Sequence, residues 1–361
     1  MMNRTRLLPT GLSGLIVLLM TTACTIDYAK YARAQRCNGL FSYERQVKLD
    51  PAIEQEFYKA AKQYSGEGIH FVDYFKRVGR QHCGRPALDY MLYLKGYLHG
   101  KPKTDFQSMV SSVGTAIHET AHHYSSMALQ FDPQPRSRRM GYHTFGHTSV
   151  YTKSLGLRHL FHTQTFPAKE IHRVIKDKQV LKGSRYTTYI GEASPYHVTQ
   201  QFGIYGLLDE FHAYYYSIIT KNNILKQLNA KQRRVSQGDN TFTELGNNDI
   251  DLSYLEFKLF ILSYFRTAEQ YYPKIYQQLL SNRELIEVVI TLHDEFDQAY
   301  QESTRIMAEQ KQYDSFKKER AILVNELALP ENRAMLHKLQ EAKQRLKERL
   351  SKANPHLAAG A

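Results

Sequence analysis

The sequence lacks several features that would assign it to common classes of protein. Its N-terminal apolar run, Gly11 to Met20, is shorter than the roughly 20 residues that a membrane-spanning helix requires, which disfavours a retained transmembrane anchor. No Gly-rich phosphate loop follows a strand, which disfavours a nucleotide-binding enzyme. Tryptophan is absent, but 26 Tyr and 17 Phe bring the aromatic content to 12%. This is the composition of a folded globular protein rather than of a disordered one.

Acidic residues are in the minority: 35 Asp and Glu face 48 Lys and Arg, for a net charge of +13. This balance favours anionic surroundings, such as phospholipid, cell-wall polymer or acidic substrates. The N-terminal residues contribute little to this net charge, but they have the features of an export signal. Arg4 and Arg6 precede the apolar run, and small residues lead to Ala23, so residues 1–23 are predicted to be a secretory signal peptide. An exported protein is not expected to bind nucleic acid.

Only three cysteines are present. The pair Ala23-Cys24 resembles the end of a bacterial lipoprotein signal, in which the cysteine becomes the lipidated first residue, although Thr21 departs from the usual leucine. The resemblance implies a membrane-anchored lipoprotein of the cell envelope. Simple cleavage after Ala23, giving a periplasmic or secreted protein, is the alternative. Lipidation of Cys24 would leave one pair, and we predict a Cys37–Cys83 disulfide against the alternative of two reduced thiols.

Hydrophobic spacing predicts a mainly α protein with a smaller β part, an α+β fold. A helix is predicted over 51–64, a motif-bearing helix from Thr104 to Leu129, and another that opens at Ser194-Pro195. β-branched and aromatic stretches at 147–152 and 185–190 predict strands or hairpins. The remaining predictions are a helix containing 89–94 and C-terminal helices near 253–271, 274–281, 284–311 and 331–351. The predicted organisation is a catalytic region at 24–232, a linker at 233–252 and a C-terminal helical region at 253–361.

The predicted helix contains the run His118-Glu119-Thr120-Ala121-His122. Residues four apart project from the same face of a helix, so the two imidazoles can bind one zinc ion. Glu119 lies about 100° around the helix, beside the ligands. There it can accept a proton from a water activated by zinc. The pattern therefore predicts one Zn²⁺ per chain and hydrolytic chemistry with Glu119 as the base.

This run resembles the signature of the zincin metallopeptidases, HExxH, and the resemblance covers the motif helix and one later helix. It implies a zincin-like catalytic core and a peptide or protein substrate. The glycine and third histidine of metzincins are replaced by Ser125 and Ala128, so the pattern is closer to gluzincins, in which a later Glu completes the site. Glu210 is the best candidate, because a carboxylate in an apolar helix needs a partner. The gap of 88 residues from His122 is long for gluzincins, and Tyr214 stands where they often carry an acid.

Other assignments stay open from sequence alone. Glu192 and Glu295 are rival third ligands, and Asp209 is a candidate to orient a ligand histidine. A hydrogen-bond donor to the oxyanion is expected. The candidates for it are Tyr214, Tyr189, His212 and His147.

Two functions follow. The first is an exported zinc metallopeptidase. The alternative is a non-catalytic envelope lipoprotein that binds a partner or an anionic surface, in which the HExxH residues are a relic or a structural metal site.

Overall fold

The computed structural model describes residues 51–83, 106–131, 146–191, 194, 197–227, 249–309 and 316–353. Within these ranges helices dominate, accompanied by short 3₁₀ turns and one hairpin. The helices are α1 (Pro51–Tyr64), α2 (Ile69–Cys83), α3 (Phe106–Phe131), α4 (Val198–Phe202), α5 (Ile204–Gln227), α6 (Asp249–Tyr271), α7 (Pro273–Ser281), α8 (Arg283–Glu309), α9 (Lys317–Leu327) and α10 (Pro330–Ala353).

The β part is a two-stranded antiparallel hairpin of β1 (His147–Thr152) and β2 (Gly156–Phe161). His147 pairs with Phe161 at one end and Thr152 with Gly156 at the turn. Gly156 adopts a positive φ of 64°, which glycine tolerates without steric strain. The prediction of a mainly α fold with a smaller β part is confirmed, as is the strand at 147–152.

The prediction of a strand at 185–190 was wrong. Ser184–Tyr186 is a helical turn that continues into a π-helical turn at Thr187–Gly191. The β-branched Thr187 does not favour an extended chain here, because its hydroxyl donates to the carbonyls of Gly183 and Ser184. Arg185 is drawn inward by a buried ion pair with Glu256 on α6, 2.7 Å long. Tertiary contacts therefore override local β propensity.

The helix predicted to open at Ser194-Pro195 is shorter and broken. Ser194 is exposed and outside any helix, and α4 begins only at Val198. Gly203, with a φ of 55°, separates α4 from α5. A Cβ atom at this position would lie 2.6 Å from the carbonyl oxygen of Phe166, so the close approach of the two chain segments requires glycine. The break redirects the chain into α5.

The C-terminal helices predicted from sequence correspond to α6, α7, α8 and α10. Helix α9 was not predicted. It is held by tertiary contacts: Leu323 and Glu326 are its buried residues, and the Glu326 carboxylate accepts the backbone N–H groups of Lys176 and Asp177. Most of the predicted linker lies outside the described residues, and α6 begins at Asp249, inside the predicted range.

Helix α5 lies at the centre of the hydrophobic core and packs against α3, α4, α6, α8 and β1. Tyrosine supplies part of this core, with ten buried tyrosines among the described residues. Tyr216 is fully buried, and its hydroxyl donates to the carbonyl of Tyr151 over 2.9 Å. Buried tyrosines thus contribute apolar area while their hydroxyls find partners. The packing of α5 on α3 decides the surroundings of the HExxH run.

Several predictions lie outside the described residues: the signal peptide at 1–23, Cys24, Cys37 and the helix containing 89–94. Cys83 ends α2, but its side chain is outside the described part, so the disulfide stays a prediction. Among the helices that the structure describes, none combines the length and the apolar character needed to cross a bilayer.

Candidate metal centre

His118 and His122 lie one turn apart on the same face of α3, as their spacing predicted. The two Nε2 atoms are 3.1 Å from each other. His118 is buried at 9% exposure, and His122 is about one-fifth exposed. The rings meet edge to face, with centroids 4.8 Å apart. Both imidazoles therefore direct the same ring nitrogen toward a common point.

Glu210 reaches this point from α5. Its Oε2 atom lies 3.5 Å from His122 Nε2, and the residue is 5% exposed. Within the described part of the chain, this buried oxygen accepts no hydrogen bond. One donor atom from each of His118, His122 and Glu210 lies within 4.8 Å of the others. The structure thus brings together the two motif histidines and the carboxylate favoured as third ligand.

These distances suit a shared metal ion. For metal–ligand bonds of 2.0–2.2 Å in a tetrahedral arrangement, neighbouring ligand atoms are separated by about 3.3 Å. Two of the three separations, 3.1 and 3.5 Å, lie on either side of this value, and the third, between His118 and Glu210, is within 4.8 Å. A buried carboxylate oxygen without a hydrogen-bond partner carries a desolvation cost, which a cation would offset. The His118, His122 and Glu210 group could therefore hold a metal ion.

The other ring nitrogen of each histidine is bonded by a residue of α5. Asp209 Oδ2 lies 2.9 Å from His122 Nδ1, and Ser217 Oγ lies 3.2 Å from His118 Nδ1. Nδ1–H donation to these oxygens leaves each Nε2 free as an acceptor, which is the tautomer that a metal ligand needs. Helix α5 thus supplies the carboxylate and orients both imidazoles.

The two histidines have opposite electrostatic surroundings. Burial strongly lowers the pKa of His118, and the neighbouring His122 and Arg185 lower it further. Burial acts in the same direction on His122, but the carboxylates of Asp209 and Glu210 outweigh it and raise the pKa of His122 well above its usual value. Without a cation, the site therefore attracts a proton to His122, where positive charge is best stabilised.

Glu119 lies beside this group and is half-buried. Burial raises the pKa of its carboxyl, and the nearby carboxylates of Glu210 and Asp209 act in the same direction, whereas His122 opposes them. A carboxylate with a raised pKa is a better proton acceptor. Its surroundings thus make the Glu119 carboxylate more basic than an exposed one.

Tyr214 packs against the site one helical turn after Glu210. Its ring contacts the His118 ring edge to face at 4.5 Å, and its hydroxyl lies 3.0 Å from that of Tyr189. The guanidinium of Arg185 lies 4.7 Å from the centre of the Tyr214 ring, and Glu256 holds Arg185 in place. The two tyrosine hydroxyls therefore lie next to the three candidate ligands, and the buried ion pair helps to hold the Tyr214 ring in place.

The remaining candidates have other roles or lie elsewhere. His212 is buried with its Nε2 atom against the backbone of Tyr151, and His147 lies at the start of β1. Glu295 accepts the backbone N–H groups of Lys153 and Ser154 at the hairpin turn. Glu192 lies outside the described residues.

Three residues around the candidate metal centre were not predicted from the sequence: Ser217, Arg185 and Glu256. Ser217 had a usable signal, because it stands seven residues after Glu210 and so on the same face of α5. Arg185 and Glu256 had none, since their meeting depends on the packing of the 184–191 turn against α6.

Comparison of the chain with models of protein families, with curated proteins and with solved structures finds no match. The geometry of the site identifies the chain as a candidate metal-binding protein, with a His-His-Glu donor set on two packed helices.

Proposed function

We propose that this chain is a zinc-dependent hydrolase, specifically a metallopeptidase of the zincin type, with zinc held by His118, His122 and Glu210. The convergence of these three donors, with a buried Glu210 oxygen that accepts no hydrogen bond among the described residues, carries the proposal. The resemblance of residues 118–122 to the zincin signature supports the reaction class.

Zinc is favoured by the chemistry of the donors. Two imidazole nitrogens and one carboxylate oxygen form the kind of three-residue set that catalytic zinc sites use. Magnesium and calcium prefer all-oxygen surroundings. The carboxylate of Asp209 behind His122 increases the basicity of the imidazole and so favours cation binding.

A bound zinc ion would supply Lewis-acid chemistry, which polarises a carbonyl and makes water a stronger nucleophile at neutral pH. Glu119 would accept the proton of the attacking water and pass it to the leaving amine. Its half-buried position beside Asp209 and Glu210 favours the proton-accepting role. Asp209 and Ser217 keep the histidine rings oriented throughout.

Tyr214 and Tyr189 are the proposed donors to the oxyanion. Their hydroxyls share a hydrogen bond 3.0 Å long, so one of the two has a proton available for a second acceptor. The contact of the Tyr214 ring with His118 holds the pair at the edge of the metal group. A preorganised donor of this kind stabilises negative charge as it develops.

The proposed setting is the cell envelope, reached by export, with the chain held by an acylated Cys24 or released after cleavage. Peptides or envelope proteins are the proposed substrates. The apolar and charged character of the N-terminal residues and the net charge of +13 support this setting.

The test combines metal analysis with one isosteric variant. Purified chain supplied with zinc should retain about one zinc ion and hydrolyse members of a mixed peptide library, with products read by mass spectrometry. Glu119→Gln should keep zinc but lose most of the hydrolysis, by roughly 100-fold or more. Glu309→Gln, which alters an exposed carboxylate paired with Arg305, is the matched control and should be fully active.

The outcomes separate the two functions. A chain that retains no zinc contradicts the metal site. A chain that binds zinc but hydrolyses no peptide, or hydrolyses equally well as Glu119→Gln, contradicts the catalytic role of Glu119. Zinc binding without any peptide hydrolysis would favour a structural metal site in a non-catalytic envelope protein.

A further inference from the structure

We propose that the outer face of α2 is a binding site for the phosphate headgroups of anionic phospholipid, separate from the metal centre. The site is a shallow cavity of about 400 Å³ between α1 and α2. It is lined by Tyr58, Asp73, Lys76, Arg77, Arg80 and Gln81.

The three cations follow helical spacing, so they share one face of α2. Arg77 and Arg80 are exposed and Lys76 is partly so. Within the described part of the chain, none of their cationic nitrogens has a carboxylate oxygen within 4.0 Å. Guanidinium and ammonium groups are the usual protein ligands of phosphate oxygens. The face therefore presents three cations without an ion-pair contact among the described residues, which suits this chemistry.

Asp73 would ordinarily neutralise these charges. It stands three residues before Lys76 and four before Arg77, where helical ion pairs form. Its Oδ1 atom instead accepts the hydroxyl of Tyr58 over 2.7 Å. Lys76 Nζ lies over the ring of the same Tyr58, 3.7 Å from its centre. Tyr58 thus donates a hydrogen bond to the Asp73 carboxylate and holds the Lys76 ammonium group over its ring. The cations are therefore available for a ligand.

The position of this face in the fold favours a membrane over free phosphate. The opposite face of α2 packs on the motif helix, where the Tyr74 hydroxyl donates to the Ala128 carbonyl over 2.9 Å. Packed helices lie about 8–10 Å apart, so a lipid surface on the outer face would be one helix layer from α3. The predicted lipidation site, Cys24, also precedes α1 and α2 in the sequence. Docking here would bring the metal centre near membrane-associated substrates.

The experiment compares binding of the full chain to two kinds of vesicle. One contains equal parts of phosphatidylglycerol and phosphatidylcholine, and the other contains phosphatidylcholine alone. The ratio of the two binding constants cancels any contribution from an N-terminal lipid anchor. Each Lys or Arg near an anionic surface contributes roughly fivefold, so Lys76→Gln, Arg77→Gln and Arg80→Gln together should lower the ratio by about a hundredfold. High salt should do the same.

Two further variants test whether the arrangement, rather than net charge, is responsible. The triple variant of Lys169, Lys178 and Lys182 to Gln removes the same charge from other exposed positions and should lower the ratio much less. Tyr58→Phe leaves the net charge unchanged but releases Asp73 to pair with Lys76 or Arg77, so it should lower the ratio several-fold.

Equal effects of the two triple variants, or an unchanged ratio in Tyr58→Phe, would overturn the proposal. Inorganic phosphate at matched ionic strength tests the other source of the same ligand chemistry. Phosphate binding without a preference for anionic vesicles would assign the cavity to free phosphate and would overturn the membrane assignment. Unchanged thermal unfolding of the variants shows that each is folded.

Discussion

Asp209 and His122 are joined by a hydrogen bond of 2.9 Å between Oδ2 and Nδ1. The two residues come from different helices, and the contact fixes which nitrogen of His122 faces His118 and Glu210. Asp209, the sequence neighbour of Glu210, thus orients His122, a candidate ligand on the other helix. The candidate metal centre is therefore formed by α3 and α5 together, and the HExxH run alone does not form it.

Asp209→Asn should weaken zinc binding by about 10-fold, and Asp209→Ala by up to about 100-fold. The amide keeps an acceptor oxygen but loses the charge that favours the cation, whereas alanine loses both. Zinc affinity can be measured by competition with a chromophoric chelator. Asp294→Asn, at an exposed aspartate of α8, is the control. Wild-type affinity in both Asp209 variants would show that the hydrogen bond does not support metal binding.

Ser217→Ala should weaken zinc binding less than Asp209→Asn does. The Ser217 hydroxyl, which lies 3.2 Å from His118 Nδ1, is uncharged and so favours a bound cation less than the Asp209 carboxylate does. The expected loss is below about 10-fold in the same competition assay. A larger loss than in Asp209→Asn would contradict the view that charge on Asp209 is the stronger influence.

Glu210→Gln should abolish most of the stabilisation that zinc confers. For the wild-type chain, zinc at a free concentration of about 100 times its dissociation constant should raise the free energy of unfolding by about 2.7 kcal/mol. The amide is a poor zinc ligand, so the variant should gain far less at the same zinc concentration. Denaturant unfolding with and without a chelator measures the difference. An equal gain in both proteins would remove Glu210 from the ligand set.

Breaking the ion pair of Arg185 and Glu256 should destabilise the fold strongly. Their side chains are only 5% and 7% exposed, so either single change to Gln removes one charge of a buried ion pair. The expected cost is about 3–5 kcal/mol for each single variant. The double variant should cost clearly less than the sum, because neither charge remains. Additive costs in urea unfolding would indicate that the pair contributes no coupling energy.

His162 should make the folded chain sensitive to acid. Burial is the main cause that lowers its pKa to about 4, and nearby His147 adds to it. Because this value lies below that of the unfolded chain, about 6.5, protonation favours unfolding. The contribution of neutral His162 is complete above about pH 6.5 and is lost as the pH falls toward 4.

His162→Gln cannot titrate, and its amide can still bond the Thr148 hydroxyl, which lies 2.8 Å from the His162 ring. Between pH 6.5 and 4, the wild-type chain should lose on the order of 2 kcal/mol more than this variant. Urea unfolding across this pH range measures the difference. Parallel stability curves would show that His162 titrates normally in the folded chain.

The sequence by itself determined the local features of this protein. The spacing of His118 and His122 placed both imidazoles on one helix face, because the 3.6-residue period is independent of the rest of the fold. Helical spacing likewise predicted α1 and four of the C-terminal helices, and a β-branched and aromatic stretch predicted the strand at 147–152. Glu210 was chosen across 88 residues because an apolar helix makes an unpaired carboxylate costly.

Only the tertiary structure decided which side chains meet. The pairing of Asp209 with His122, and of Ser217 with His118, depends on the angle and register at which α5 packs on α3. The segment at 185–190 has strand-like residues, but the ion pair of Arg185 with Glu256 and the hydroxyl bonds of Thr187 favour a helical turn. Contacts between residues far apart in the sequence follow no local period, so no short stretch of sequence predicts them. These contacts bring the residues of α5 to the two histidines of the HExxH run.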